Sequence, residues 1–273
     1  MSIDAQVEAA LRGGGESRRR AATVVSRVVL PFATIAALVG LWWLAVIVFG
    51  WKPFLVPTPK GVWLEMDRQR HLLPGHVTTT LVETLEGFGL AIGIGMPVAI
   101  LIASSSVLEQ TIYPALVALN AIPKIAIAPL LVIWMGFGPA PKIAMVVLIC
   151  FFPIVISTAT GLKSTPSEFV DLARSLSASP LQQFVRVRFP ASLPYVFVGL
   201  KVAITLAVIG AVVGEFVGAT KGLGYVIVAS GQNANTSLAF AAIVLLSLLS
   251  IVLFYILVLA ERLLVPWAAH EQR

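Results

Sequence analysis

The sequence carries very little charge for its length. Lys, Arg, Asp and Glu make up 12% of its 273 residues, whereas soluble domains carry about a quarter. So few charged side chains cannot cover the surface of a soluble domain of this size. Hydrophobic residues make up 58% of the chain and occur in long runs, which is typical of helices that cross a lipid bilayer. The composition therefore excludes a soluble protein and indicates an integral membrane protein.

The sequence also lacks the residue groups that carry most enzyme chemistry. Its one cysteine, Cys150, lies inside an apolar run and cannot form an internal disulfide. His71 and His76 are five residues apart with no third ligand near them, which argues against a metal site. No Ser–His or Cys–His constellation and no Walker-type phosphate loop is visible. We expect no catalytic residue, no metal and no cofactor on this chain, and no enzyme activity.

Six apolar runs are long enough to span a membrane, since a span needs about 20 such residues. They predict an all-α membrane protein with about six transmembrane helices and a membrane domain over residues 28–262. A cytoplasmic N-terminal segment, 1–27, precedes it and a cytoplasmic tail, 263–273, follows. The six predicted spans are 28–50, 77–103, 113–137, 141–162, 194–218 and 238–261.

The positive residues predict the orientation of these spans. With the N-terminus inside, eleven of the 19 Lys and Arg residues fall on cytoplasmic segments and six on outside segments, which favours both termini in the cytoplasm. This asymmetry also explains the net charge of +6 without nucleic acid as a partner. We therefore expect a multi-pass protein of the bacterial plasma (inner) membrane, in contact with lipid.

Small residues line one face of the fifth predicted span. Gly199, with alanines at 203, 207 and 211, forms one row, and Gly210, Gly214 and Gly218 form a second row beside it. Small residues allow helices to approach closely. The face is either packed within the chain or is a dimer or pathway surface, and the sequence leaves both open.

Four ionisable residues lie within or beside the predicted spans, and two of them are candidates for a functional role. Lys124 lies in an apolar run, where a charge is costly and indicates function, so it is a candidate pathway residue; Glu215, beside the glycine row, is a second. Pro123 indicates a helix break before Lys124. Glu83 and Glu86 are interpreted as a hydrated helix end.

The cytosolic loop, 163–193, has internal order. Thr165 and Glu168 have the spacing of a capping box, which predicts a helix over 166–177. Ser179 and Gln182 repeat that spacing and predict a second short helix, ended by Phe189-Pro190. A hairpin with an apolar side suits a partner's groove or the surface of lipid headgroups, and both interpretations stay open.

The same loop resembles a known family. Residues 171–173 read Asp-Leu-Ala, Ser177 follows after three residues, and residues 187–190 read Val-Arg-Phe-Pro after nine more. This spacing is similar to that of the Glu-Ala-Ala loop of binding-protein-dependent ABC import permeases, in which glycine stands at the position of Ser177. Residues 121–130, with 134–138, resemble the third-span signature of the nitrate, sulfonate and taurine class. Residues 214–216 and 222–225 resemble the end of its fifth span and the following loop.

The resemblance implies a type I ABC importer permease architecture and a function. Two copies of the chain, as a homodimer, would form a pathway for a small, anionic solute such as a sulfonate, taurine or nitrate. A separate cytosolic ABC ATPase would drive it and an extracytoplasmic solute-binding protein would deliver the solute. The residues that would couple the loop to the ATPase are Glu168, Asp171, Ala173, Arg174, Leu176, Ser177, Pro180 and Pro190. The alternative is an ion-coupled secondary transporter, which would require ionisable residues at mid-membrane and internal repeats.

Overall fold

The computed structural model describes residues 29–30 and 32–267. Within them the chain is helical and contains no β-strand. The predicted N-terminal segment 1–27 and the end of the predicted tail lie outside the described residues. The helices are α1 Phe32–Val48, α2 Pro59–Arg68, α3 Leu73–Ser104, α4 Ser106–Asn120, α5 Lys124–Met135, α6 Pro139–Lys163, α7 Ser167–Ser175, α8 Pro180–Gln183, α9 Phe189–Phe216, α10 Leu223–Gln232 and α11 Thr236–Leu264, with a π-helical segment Phe184–Arg188 between α8 and α9.

The chain divides into two compact units, Met1–Leu64 and Glu65–Arg273. In the first unit, α1 is a short apolar helix whose side chains are mostly exposed. Thr58 precedes the first turn of α2, and its hydroxyl accepts a hydrogen bond from the N–H of Gly61 at 3.1 Å. The second unit holds the long apolar helices.

Four helices of the described chain are long and apolar enough to cross a membrane. They are α3, α6, the continuous helix from Pro180 to Phe216, and α11. The pair α4 and α5 makes a fifth if it is one span bent by 89°. Helix α1 covers the first predicted span and, at 17 residues, lies at the short end of the range that can cross a bilayer.

One proline of these helices lies at a break between two helices, and others lie inside continuous helices. Pro123 precedes α5 in an extended conformation, so the predicted break before Lys124 is confirmed. Pro114 and Pro129 lie inside the continuous helices α4 and α5. Pro153 likewise lies inside α6. A proline inside a membrane helix is tolerated where neighbouring groups satisfy the freed carbonyl.

The core of the second unit is built on α6, which packs most extensively against α9 and α3. Phe88 of α3, Val146 of α6 and Ile204 of α9 meet in this core, with Leu249 of α11 packed on it. Because α6 ends at Lys163 and α9 follows the loop, the loop lies at one end of this bundle. Lys142 and Glu215 lie at the opposite end, and the two ends hold the polar features described next.

Candidate functional site

The first loop helix, α7, begins without the predicted cap. Pro166 is the residue that precedes it, and no side chain caps its first turn. The Thr165 hydroxyl is buried with no hydrogen-bond partner among the described residues, so the predicted Thr165–Glu168 capping box is wrong. Proline at the capping position has no hydroxyl or carboxylate to offer, and Thr165 is one residue too early to reach the free N–H groups.

A serine in the left-handed conformation ends α7. Ser177 has φ of 58°. Its N–H donates to the Arg174 carbonyl at 2.9 Å, and the N–H of Ala178 donates to the Ala173 carbonyl at 3.0 Å. This pair of bonds is a Schellman motif, which usually places glycine at the position of Ser177. The turn that the family forms with glycine is therefore formed here with serine.

The second loop helix begins with the predicted cap. The Ser179 hydroxyl accepts from the N–H of Gln182, and the Gln182 side chain accepts from the N–H of Ser179 at 2.8 Å. The prediction of a capping box at this position is confirmed. Pro180 is the first helical residue, where its missing N–H costs nothing.

The prediction that Phe189-Pro190 ends this helix is wrong. The chain continues from α8 through the π-helical segment into α9, which also contains Pro194. The N–H of Phe189 donates to the Phe184 carbonyl, five residues back. This wider turn leaves room for the Pro190 ring, which would meet the preceding turn of a regular α-helix. The second half of the loop, from Pro180, and the fifth span are thus one helix.

Helix α7 presents an apolar face outward at the end of the bundle. Phe169, Leu172 and Leu176 follow helical spacing, and their exposed fractions are 59%, 59% and 74%. They line a groove of about 370 Å³, with Arg186 of the π-helical segment at its edge. We define this face, Phe169, Leu172 and Leu176, as the docking face. An apolar face on a folded hairpin is typical of an interaction surface.

The other predicted loop residues surround the docking face. Glu168 and Asp171 are exposed on α7, and Ala173 is half-buried beside the groove. Arg174 donates to Asp171 at 3.2 Å in an exposed ion pair, which contributes little to stability. Pro190 is half-buried. The structure thus brings the predicted coupling residues together on one hairpin.

The opposite end of the bundle holds a buried polar network. Glu215 is 1% exposed and accepts hydrogen bonds from the Thr80 hydroxyl at 2.7 Å and from the N–H of Gly224. The Thr80 oxygen in turn accepts from the N–H of Leu223 at 2.8 Å. His76 Nδ1 accepts from the N–H of Gly222 at 3.1 Å. Three successive N–H groups at the start of α10 are thus bound by α3 and α9.

Gly222 fits closely against this network. Its φ is +113°, and a Cβ on it would overlap the Glu215 carboxyl group. Any larger residue would therefore push α10 away from Glu215. Glycine is therefore the residue that fits at position 222, and the Gly-Leu-Gly sequence 222–224 provides it.

A buried ion pair adjoins the network. Lys142 of α6 binds Glu83 of α3, and both side chains are nearly inaccessible. The interpretation of Glu83 as a hydrated helix end is wrong, whereas Glu86 is exposed. Glu83 follows His76 and Thr80 at helical spacing, which places all three on one face of α3. No local sequence pattern marks Lys142 as a partner of Glu83, because only the packing of α6 against α3 brings the two together.

The glycine rows pack inside the chain. A Cβ on Gly210 would lie 2.9 Å from the Val146 Cα, and one on Gly214 would lie 2.8 Å from the Lys142 Cα. Both glycines therefore let α9 touch the backbone of α6, in the intramolecular packing that the sequence left open. Gly218 follows α9 with φ of +81° and faces the Phe137 ring.

Lys124 lies where the third span bends. It is half-buried at the start of α5 and donates to the Asn120 side chain. Its Nζ lies 4.6 Å from the centre of the Phe152 ring, a cation–π contact. The structure does not bring Lys124 together with the loop or with Glu215, and its pathway role stays a prediction. In the described part of the chain, no group of three or more His, Cys, Asp or Glu side chains is placed to hold a metal.

Comparison with known proteins gives consistent results. A family model described as "Binding-protein-dependent transport system inner membrane component" matches residues 91–268. The chain is 37% identical to the formylaminopyrimidine transport permease protein ThiX of Halalkalibacterium halodurans, over 87% of this chain and 95% of the relative. It is 31% identical to the putative aliphatic sulfonates transport permease protein SsuC of Bacillus subtilis, over 78% of each. A structure of the MetNI methionine ABC transporter in an inward-facing conformation has the same fold, with a TM-score of 0.61 at 23% identity over 73% of this chain and 97% of that one.

Proposed function

We propose that this chain forms the solute pathway of an ATP-driven importer. The premise is that it belongs to the family of binding-protein-dependent transport system inner membrane components. It is an ABC transporter permease with the type I fold, and a multi-pass protein of the plasma membrane. The proposal adds that a separate cytosolic ATPase subunit drives it, that two copies form the pathway, and that the loop 163–193 and both termini face the cytoplasm.

The docking face carries the proposal. Three large apolar side chains stand outward on a hairpin whose turn and second cap are fully hydrogen-bonded. An exposed apolar face of this kind is typical of a surface that binds a partner. The second half of the hairpin continues into the fifth span without a break. A partner bound to the hairpin would therefore be connected directly to a helix of the pathway.

The test uses a double variant of the loop, Arg174→Glu with Leu176→Ala. We expect it to lose co-purification with its ATPase subunit while staying in the membrane. The matched control is Arg262→Glu with Leu263→Ala on α11, because Leu263 is 72% exposed against 74% for Leu176. Wild-type yield of ATPase with the loop variant would contradict the docking claim, as would equal loss with the control.

The transport cycle has its own test. Proteoliposomes with the permease, its ATPase and its binding protein should accumulate solute only with ATP. Uptake by the purified permease alone, driven by an ion gradient, would overturn the ATP-driven importer and favour a secondary transporter. Chemical cross-linking of the membrane-embedded chain tests whether two copies form the pathway, and we expect it to yield dimers.

The solute in this proposal is a small anion. The support is the Lys124 ammonium at the bend of the third span and the likeness to a sulfonate permease. We expect Lys124→Gln to reduce uptake of an alkanesulfonate at least tenfold while the ATPase still co-purifies. Transport of a neutral pyrimidine and not of a sulfonate would contradict the anionic substrate and leave the importer assignment intact.

A further inference from the structure

A second cavity lies at the loop end of the bundle, apart from the docking face. Its volume is about 610 Å³, within the range of sites for small organic ligands. One wall is the last turn of α3, with Ile100, and the last turn of α6, with Leu162. The cavity therefore lies where the two membrane helices α3 and α6 end.

Two arginines give this cavity one sign of charge. Arg174 and Arg188 both line it, and neither Asp nor Glu is among its described lining residues. Arg188 is half-buried and makes no ion pair with any described residue, whereas Arg174 shares its charge with the exposed Asp171. With two guanidinium groups and no carboxylate in its described lining, the cavity suits a ligand that brings a negative charge.

The rest of the lining is mostly apolar. Leu181 lines the cavity and is 71% exposed, and Phe184 lies one turn further along the same helix. Phe184 and Arg188 are the two ends of the π-helical segment, a helix form that is frequent at functional sites. The site thus offers guanidinium groups for a phosphate and an apolar wall for a hydrocarbon chain.

We propose that this cavity binds an anionic phospholipid of the leaflet that adjoins the coupling loop. Arg188, with Arg174, binds the phosphate, and the wall of Leu162, Leu181 and Phe184 receives the first part of an acyl chain. Basic pockets between membrane helices bind anionic headgroups by the same physics, and arginine matches phosphate oxygens with two donors at once.

The test measures phospholipid retained by the purified full chain. Native mass spectrometry or a thermal shift is recorded against phosphatidylglycerol and, separately, phosphatidylcholine. We expect retention of phosphatidylglycerol on the wild type, about tenfold weaker binding by Arg188→Gln, and wild-type binding by Arg262→Gln at the end of α11. Arg188→Lys should recover part of the binding, which separates loss of charge from loss of fold.

Three further arms identify the occupant. Leu181→Gln, at an exposed position, should weaken phosphatidylglycerol and leave inorganic phosphate unaffected. Inorganic phosphate that displaces the lipid at equal concentration would reassign the cavity to a free anion and overturn the proposal. Release of the lipid when the ATPase subunit is added would assign the cavity to that partner and also overturn it, and so would equal loss of binding in Arg188→Gln and Arg262→Gln.

Discussion

The buried network around Glu215 predicts a large and measurable loss of stability in Glu215→Ala. The substitution removes the acceptor for two buried donors, the Thr80 hydroxyl and the N–H of Gly224. A buried donor without a partner costs about 1–3 kcal/mol, so the two together cost about 2–6 kcal/mol. For a chain of this size that loss lowers Tm by roughly 5–20 °C. Glu215→Gln keeps one acceptor oxygen for the two donors and should lose about half as much.

The chain carries its own probe for this measurement. Cys150 is the sole cysteine, is fully buried, and donates through its Sγ to the Ala203 carbonyl at 3.2 Å. A thiol-reactive dye therefore reports unfolding of the contact between α6 and α9 in detergent as the temperature rises. Asp67→Asn is the control, because Asp67 is exposed and its ion pair with Arg70 is long, at 3.6 Å.

A double-mutant cycle tests whether the network acts as a unit. Thr80→Val removes both the donor to Glu215 and the acceptor for Leu223. Because Glu215 and Thr80 share partners, the double variant should lose less than the sum of the single variants by about 0.5–3 kcal/mol. Strict additivity, or a Glu215→Ala protein that unfolds at the wild-type temperature, would refute the claim that these bonds hold α10 in place.

Two further substitutions test the loop turn and the helix contact. Ser177→Gly should raise the stability of the loop by about 1 kcal/mol, because glycine adopts the left-handed conformation without the side-chain clash. Protection of the α7 amides from hydrogen exchange measures this gain, and unchanged protection would contradict it. Gly214→Val should cost about 1–3 kcal/mol or more, because its side chain would meet the Lys142 backbone. Gly89→Val, at a position with open space, should change the dye-labelling temperature little, and an equal loss in both would contradict the contact.

The membrane helices were predictable because their signal is local. A run of apolar residues needs no partner to be recognised, so the spans at α3, α6 and α11 follow from composition alone. Their ends differ by several residues, as with α3, which begins at Leu73 where a start at residue 77 was expected. Polar residues such as His76 extend that helix because the packed α10 binds them.

The loop was predictable where the chemistry is local and not where proline competes with packing. The Ser179–Gln182 cap depends on four successive residues and forms as expected. The stop at Phe189-Pro190 fails, because the π-helical turn accommodates a ring that a uniform α-helix rejects. No local sequence pattern in this segment indicates a change of helix type.

The buried network was the part that sequence patterns could not assemble. Glu83, Lys142 and Glu215 lie on three helices far apart in the chain, and each alone has an ordinary surface explanation. Lys142 and Glu215 share a sequence position, close to the end of an apolar helix, whereas Glu83 lies well inside α3. The low charge content makes such a position more informative, because a chain with 12% charged residues has few charged side chains to place near the ends of its helices.

The continuous helix from Pro180 to Phe216 links the two polar ends of the molecule. Its 37 residues extend about 55 Å at 1.5 Å per residue, with the loop hairpin at one end and Glu215 at the other. Gly210 and Gly214 hold this helix against the backbone of α6 without intervening side chains, so the two helices resist sliding past each other. We therefore expect a partner that displaces the hairpin to move α6 and α9 together, and Glu215 to carry that displacement to the start of α10.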